Sequence, residues 1–179
     1  VEGDGGNGRL YGGEGSEVIK GGAGDDRLYG HSGGTDYLSG GEGNDSIYAD
    51  GNDTIDGGEG TDRVYTYGEE DISLDMGKAS VESVSGQTDA NHQIDASSAK
   101  EGVSVSLRGG DDKVTGSEHN DSINAGGDED TLSGGSGADT LDGGDGTDSH
   151  HGGPDDDRLI ASNDYDPLNG GVAQDGASL

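Results

Sequence analysis

The residues with chemistry to offer are acids set at a regular interval. Asp26, Asp36, Asp45, Asp53 and Asp62 recur every eight to ten residues, and Asp112, Asp121, Asp130, Asp139, Asp148 and Asp157 recur every nine. Glycines precede them at fixed offsets. Gly22 and Gly24, Gly41 and Gly43, Gly58 and Gly60, Gly135 and Gly137, and Gly144 and Gly146 stand four and two residues ahead of their aspartates. Carboxylates and main-chain carbonyls are hard oxygen donors, and a site built from them suits Ca²⁺ better than softer metals. A plainer reading exists for any single aspartate, which can hydrogen-bond its own turn. Glu17 is a weaker member of the series, and Gly8 stands where the first acid belongs.

The chain that must position these acids is poor in apolar residues. Only 25% of its 179 residues are hydrophobic, Phe, Trp and Cys are absent, and the formal charge is −30. An aperiodic sequence of that composition would be disordered. Here glycine and aspartate are periodic, which points to repeating structure. The charge argues against nucleic acid and anionic membrane surfaces, and no basic stripe offsets it. No apolar run is long enough for membrane insertion. Without cysteine there is no disulfide framework and no thiolate metal site. No signal peptide is visible, the single Met is internal at Met76, and the chain starts mid-pattern, which reads as a piece of a longer protein.

The recurrent unit is seen in GGAGDDRLY (21–29), GGEGNDSIY, the shortened ADGNDTID, GGEGTDRVY, GGSGADTLD and GGPDDDRLI. Its form is G-G-x-G-x-D-x-U-x, with U a large aliphatic residue. On these residues the chain resembles the RTX family, the calcium-binding nonapeptide repeats of secreted bacterial proteins. The resemblance covers about two thirds of the chain. It implies an all-β fold: a right-handed parallel β-roll, or solenoid, with stacked Ca²⁺-binding loops. The U positions run from Leu10 through Ile19, Leu28, Leu38, Ile47 and Ile55 to Val64, and resume at Val114, Ile123, Leu132, Leu141, His150 and Leu159. Between the two series the glycine loops vanish, yet Leu74, Val84, Ile94 and Val105 stay ten or eleven apart. The expected organisation is a repeat block over 1–67, calcium-poor rungs continuing the solenoid over 68–107, a second block over 108–161, and a cap or disordered tail over 162–179. A linker between two separate rolls is the alternative for the middle.

In such a unit glycine serves where the backbone needs positive φ and must approach a metal closely. The strand x-U-x turns U inward. Two units close one turn of coil, so loops two units apart stack at about 4.8 Å, the inter-strand spacing. One edge then stacks Asp26, Asp45 and Asp62, and the other Asp36 and Asp53. In the second block Asp112, Asp130 and Asp148 stack opposite Asp121, Asp139 and Asp157. Carboxylates and loop carbonyls together offer roughly six oxygens, a suitable calcium shell, repeated for several ions. Weaker or missing sites are expected where His119, Asp128 and Asp155 replace the fourth glycine, and where His150 fills an inward position. Burying one aliphatic side chain per nine residues returns roughly 1.5–3 kcal/mol, against about 1–2 kcal/mol of ordering entropy for each residue. Metal binding and folding should therefore be coupled, with the metal-free chain largely disordered.

The resemblance implies a structural module that leaves a Gram-negative cell unfolded through type I secretion machinery. It would fold outside, where Ca²⁺ is plentiful, and stabilise or present the other domains of an extracellular parent protein. A reading of another class, a binding module, rests on one feature. Tyr11, Tyr29, Tyr48 and Tyr65 fall in every second unit and should form an outward column beside Arg9, Arg27 and Arg63. That column reads either as a cross-strand ladder with Tyr–Arg stacking or as a polysaccharide-docking face, as in an adhesin segment or the repeat domain of an extracellular enzyme. Catalysis is not expected. The segment GHSGG (30–34) matches a hydrolase nucleophile elbow, but its Ser32 sits in a repeat loop ahead of Asp36. The histidines show no H-E-x-x-H spacing, and adjacent His150 and His151 point to opposite faces of a strand.

Overall fold

Each U-bearing tripeptide becomes a short strand, and strands two units apart lie side by side in parallel. The computed structural model describes residues 1–31, 33–162, 165–171 and 176–178, the last three by their backbone alone. Ser32 of the GHSGG segment lies outside the described residues. One sheet holds ten parallel strands: β1 (Arg9–Tyr11), β3 (Arg27–Tyr29), β5 (Ser46–Ala49), β7 (Arg63–Thr66), β9 (Ser83–Ser85), β11 (Ser104–Ser106), β13 (Ser122–Gly127), β15 (Thr140–Asp145), β17 (Arg158–Ile160) and β19 (Gly176–Ser178). The intervening strands fall into two sheets. The first contains β2 (Val18–Ala23), β4 (Tyr37–Glu42) and β6 (Thr54–Glu59). The second contains β8 (Ser73–Asp75), β10 (Gln93–Asp95), β12 (Lys113–Thr115), β14 (Thr131–Ser133), β16 (Ser149–Gly153) and β18 (Leu168–Gly171). The fold is the expected parallel β-solenoid, a β-roll.

Pairing is in register, so like residues stack. Leu28 lies beside Ile47, Ile47 beside Val64, and Ile123 beside Leu141. Side chains alternate across each strand, so these columns face inward and form a narrow core of fully buried aliphatics. The strands of the middle segment pair with both flanks. Val84 joins Val64 to Val105, and Ile94 joins Leu74 to Val114. All four inward residues read from the spacing there are buried. Continuity is carried by one face, because β6 and β8 belong to different sheets. At that place the shortened unit turns on itself, with the Asp53 N–H donating to the Asp50 carbonyl (3.3 Å).

Two features were not foreseen. A single helical turn, α1 (Met76–Ala79), replaces a glycine loop; the Asp75 side chain caps it by accepting the Lys78 N–H, and Met76 and Ala79 are buried. The strand pairing also continues past Ser162. Leu168 pairs with His150, Gly171 with Gly153, and Ala177 with Leu159. The signal was present in Asp166 two residues before Leu168, and in the pair Gly170–Gly171. Among the described residues no helix is long and apolar enough to cross a membrane.

Candidate metal centre

The aspartates line the two turns that join successive strands, one column along each edge of the roll. Each column is held by the same bond. The main-chain N–H of one aspartate donates to Oδ1 of the aspartate one turn further on. On the first edge Gly8 N–H donates to Asp26 (2.6 Å), Asp26 to Asp45 (2.8 Å) and Asp45 to Asp62 (2.7 Å). Further along, Asp121 donates to Asp139 (2.8 Å) and Asp139 to Asp157 (2.9 Å). On the second edge Glu17 donates to Asp36 (2.8 Å), Asp36 to Asp53 (3.0 Å), Asp112 to Asp130 (2.8 Å) and Asp130 to Asp148 (2.9 Å). The stacks are those the spacing predicted, and the bonds explain their order. Oδ1 satisfies a buried donor, which fixes the carboxylate and leaves Oδ2 to face elsewhere.

In Asp26, Asp36, Asp45, Asp62, Asp112, Asp130, Asp139 and Asp148, Oδ2 is buried and accepts no hydrogen bond from the protein. Buried carboxylate oxygens without a donor are costly and rare, so eight of them in two columns need an explanation. In Asp26, Asp36, Asp45, Asp62, Asp139 and Asp148, Oδ2 points at the glycine that opens its own unit; Leu107 and Ala125 stand at that place before Asp112 and Asp130. A Cβ on Gly40 would lie 2.1 Å from Asp45 Oδ2, on Gly134 2.2 Å from Asp139 Oδ2, and on Gly143 2.3 Å from Asp148 Oδ2. Asp157 repeats this geometry against Gly152 at 2.2 Å. Burial pushes the Asp112, Asp130 and Asp139 carboxyls up to about 7, and Asp53 and Asp62 up to about 6. Neighbouring carboxylates add to the effect. Asp36, Asp45 and Asp148 are raised for the same leading reason.

The ten glycines at the second and fourth loop positions, Gly22, Gly24, Gly41, Gly43, Gly58, Gly60, Gly135, Gly137, Gly144 and Gly146, all have φ between 89° and 155°. Gly41 shows why no side chain fits: a Cβ there would sit 2.0 Å from the Gly22 carbonyl oxygen of the neighbouring loop. Asp128 (φ 77°) and Asp155 (φ 82°) hold the same conformation in place of glycine, a strain of about 1–2 kcal/mol each. His119 does not adopt it.

Some acids behave differently. Asp53 Oδ2 accepts the Asp50 N–H of its own loop (3.0 Å), and Asp121 Oδ2 accepts the Ser117 N–H of its own loop (2.5 Å). Three members of the columns escaped the sequence reading. Asp166 accepts the Asp148 N–H (3.0 Å), and its Oδ2 is bonded by Ser162 N–H (3.0 Å). Glu82 accepts the Asp62 N–H (2.7 Å). His92 accepts the Ile72 N–H on Nδ1 (3.2 Å) and donates its own N–H to Asp112 (2.6 Å). An outer ladder at the fifth loop position was missed too. Thr61 N–H donates to Asn44 Oδ1 (2.8 Å), Asn44 N–H to Asp25 (2.9 Å), and Asp111 N–H to Asn91 (2.8 Å). Glu17 caps Gly13 N–H (3.2 Å). The tyrosine column forms as expected, with ring centroids 4.7, 4.4 and 4.7 Å apart from Tyr11 to Tyr65 and planes within 13° of parallel. Arg63 lies 6.0 Å from the Tyr65 ring centroid.

Two columns of caged carboxylates between glycine bends are what a calcium-binding repeat requires. Residues 2–34, 32–64, 49–72, 108–132, 115–150 and 125–159 match the RTX calcium-binding nonapeptide repeat. The chain belongs to that family. No curated protein matches it. RTX repeats form a structural calcium-binding module, and the residues present fit the ion. The donors are hard, the unbonded oxygens are buried, and before six of those eight oxygens the space is kept open by glycine. Among the described residues no three acidic or imidazole side chains converge on one point, so a shell here has to draw on loop carbonyls as well as carboxylates. The unmatched stretch of the RTX array, 73–107, is where the glycine loops are absent.

Proposed function

We propose that this RTX β-roll is a calcium-gated folding module of a larger extracellular protein. It is exported unfolded from a Gram-negative cell through type I secretion machinery and assembles outside to stabilise or present its parent's other domains. The observation that carries this reading is the set of buried Oδ2 atoms with no donor, in a chain of charge −30. Bound calcium would supply divalent counter-charge and oxygen ligation along both edges. The aspartates hold register through Oδ1 and direct Oδ2 inward, and glycine lets the loop carbonyls approach. The ligand set in this reading is Asp26, Asp36, Asp45, Asp62, Asp112, Asp130, Asp139, Asp148 and Asp157 with their loop carbonyls. Cytosolic calcium lies far below the roughly 10⁻⁴–10⁻³ M range of extracellular modules, which separates the unfolded from the folded compartment. The polysaccharide-docking alternative draws less support from the tyrosine column. Stacking occupies both ring faces of Tyr29 and Tyr48, leaving edges where a sugar would need a face.

Calcium titration by calorimetry beside far-ultraviolet circular dichroism tests the proposal. Several ions should bind as the β signal grows. A strong β signal over the whole chain in chelator, unchanged by calcium, would refute it.

A further inference from the structure

The middle of the roll is built differently from the blocks around it. In a repeat, three successive inward places hold aspartate, aliphatic and glycine or alanine, as in Asp45, Ile47 and Ala49, or Asp130, Leu132 and Gly134. In the middle the same three places hold Ile72, Leu74 and Met76, then Val103, Val105 and Leu107, all buried. One further rung there holds His92, Ile94 and Ala96, also buried. These three rungs each bring two or three hydrophobic side chains to the core where a repeat brings one or two, and they place no buried carboxylate there. The fourth rung of the middle, Glu82, Val84 and Gly86, keeps the form of a repeat, with a half-buried Glu82 accepting the Asp62 N–H. His92 takes the aspartate's place as a hydrogen-bond acceptor, and its Nε2 lies 3.3 Å from Thr66 Oγ1.

The boundaries carry a second, independent mark. On one edge the last acid before the middle is Asp53, and on the other the first acid after it is Asp121. In both, Oδ2 is bonded by the acid's own loop, as it also is in Asp166 at the far end of the second block. Their loops also lack the positive-φ turn. No residue of 49–52 or 116–120 has positive φ, whereas every loop leading to the eight aspartates with unbonded Oδ2 contains at least one.

We propose that residues 68–107 are a calcium-independent nucleus of this roll, with Asp53 and Asp121 acting as metal-free latches against it and the calcium-dependent repeats assembling outward from its two ends. A solenoid couples each rung to its neighbours alone, so order can start in one stretch and propagate. A preformed middle offers both blocks a template edge in the correct register. It gives each block one end on which to begin, so neither must nucleate on a glycine-rich rung. The inference rests on the calcium reading above and alters one part of it: the metal-free chain retains an ordered core.

Amide hydrogen exchange by mass spectrometry on the full chain, in chelator and in calcium, separates the two ideas. In chelator, peptides from 72–107 should exchange at least about tenfold more slowly than those from 21–62 and 126–159. Calcium should then protect the two blocks. Ile94→Asp should abolish the calcium-free protection, whereas Leu132→Asp, in the second block, should leave it in place. Uniformly fast exchange in chelator with protection everywhere in calcium overturns the nucleus and leaves the calcium reading standing. Equal slow exchange across the whole chain in chelator overturns the calcium reading, and the nucleus with it.

Discussion

Acid should replace calcium in part, and the buried aspartates set how much. The perturbation is a drop from pH 7 to pH 5 in chelator, still above the sequence pI of about 4.1. In the metal-free roll burial raises Asp112, Asp130 and Asp139 to about 7, and Asp53 and Asp62 to about 6. In the unfolded chain they titrate near 3.8. A carboxyl with a raised folded pKa binds more protons folded than unfolded across that window. Its contribution to stability is therefore fully present below about 3.8 and is lost as pH rises through 6 to 7. Between pH 7 and 5 each group at about 7 contributes about 2 kcal/mol and each at about 6 about 1 kcal/mol. Their combined effect is on the order of 5–10 kcal/mol, comparable to the whole stability of a small domain. A protonated Oδ2 also becomes a donor, which meets the need left by the missing ion. Circular dichroism in chelator should show β signal growing as pH falls from 7 to 5. Asp112→Asn, Asp130→Asn and Asp139→Asn together should raise that signal at pH 7 while weakening calcium binding. Asp25→Asn and Glu42→Gln, both exposed, should leave it unchanged. A signal that stays flat to pH 5, or that grows with rising pH, would show that the buried carboxylates are not what holds the metal-free roll open.

Other expectations follow from single contacts. Asp45→Asn should lower the calorimetric ion count, whereas Asp53→Asn should leave it unchanged, because Asp53 Oδ2 is already bonded to Asp50 N–H. Gly40→Ala places a Cβ 2.1 Å from Asp45 Oδ2 and 2.4 Å from the Gly57 carbonyl; it should raise the calcium midpoint of folding sharply. Gly5→Ala meets nothing within 4 Å, and should shift that midpoint by no more than about 0.5 kcal/mol equivalent. Tyr29→Ser with Tyr48→Ser removes all three ring stacks, at about 0.5–1.5 kcal/mol each. Denaturant unfolding in calcium should report that loss, and calorimetry an unchanged ion count.

Much of the fold was legible because the repeat fixes it locally. A nonapeptide with one inward aliphatic and one loop aspartate can stack in one register only, so Asp26, Asp45 and Asp62 had to fall on one edge once two units closed a turn. The inward residues of the middle were legible for the same reason, since Leu74, Val84, Ile94 and Val105 keep the spacing. The continuation through Leu168 was written as plainly, in Asp166 and Gly170–Gly171, but Ser162 to Pro167 disguised it.

What the sequence determined by itself was period, and with it the coil and the two columns of acids. Tertiary structure decided which oxygen of each acid does what. Asp45 and Asp53 look alike in sequence, yet one leaves a buried Oδ2 facing glycine and the other closes it on a backbone N–H. Likewise His92 and Glu82 took acceptor places that no motif assigned them. The reason is physical: spacing sets where a side chain stands, whereas the hydrogen bond it makes depends on the φ of a neighbouring loop and on the donor that the next rung presents.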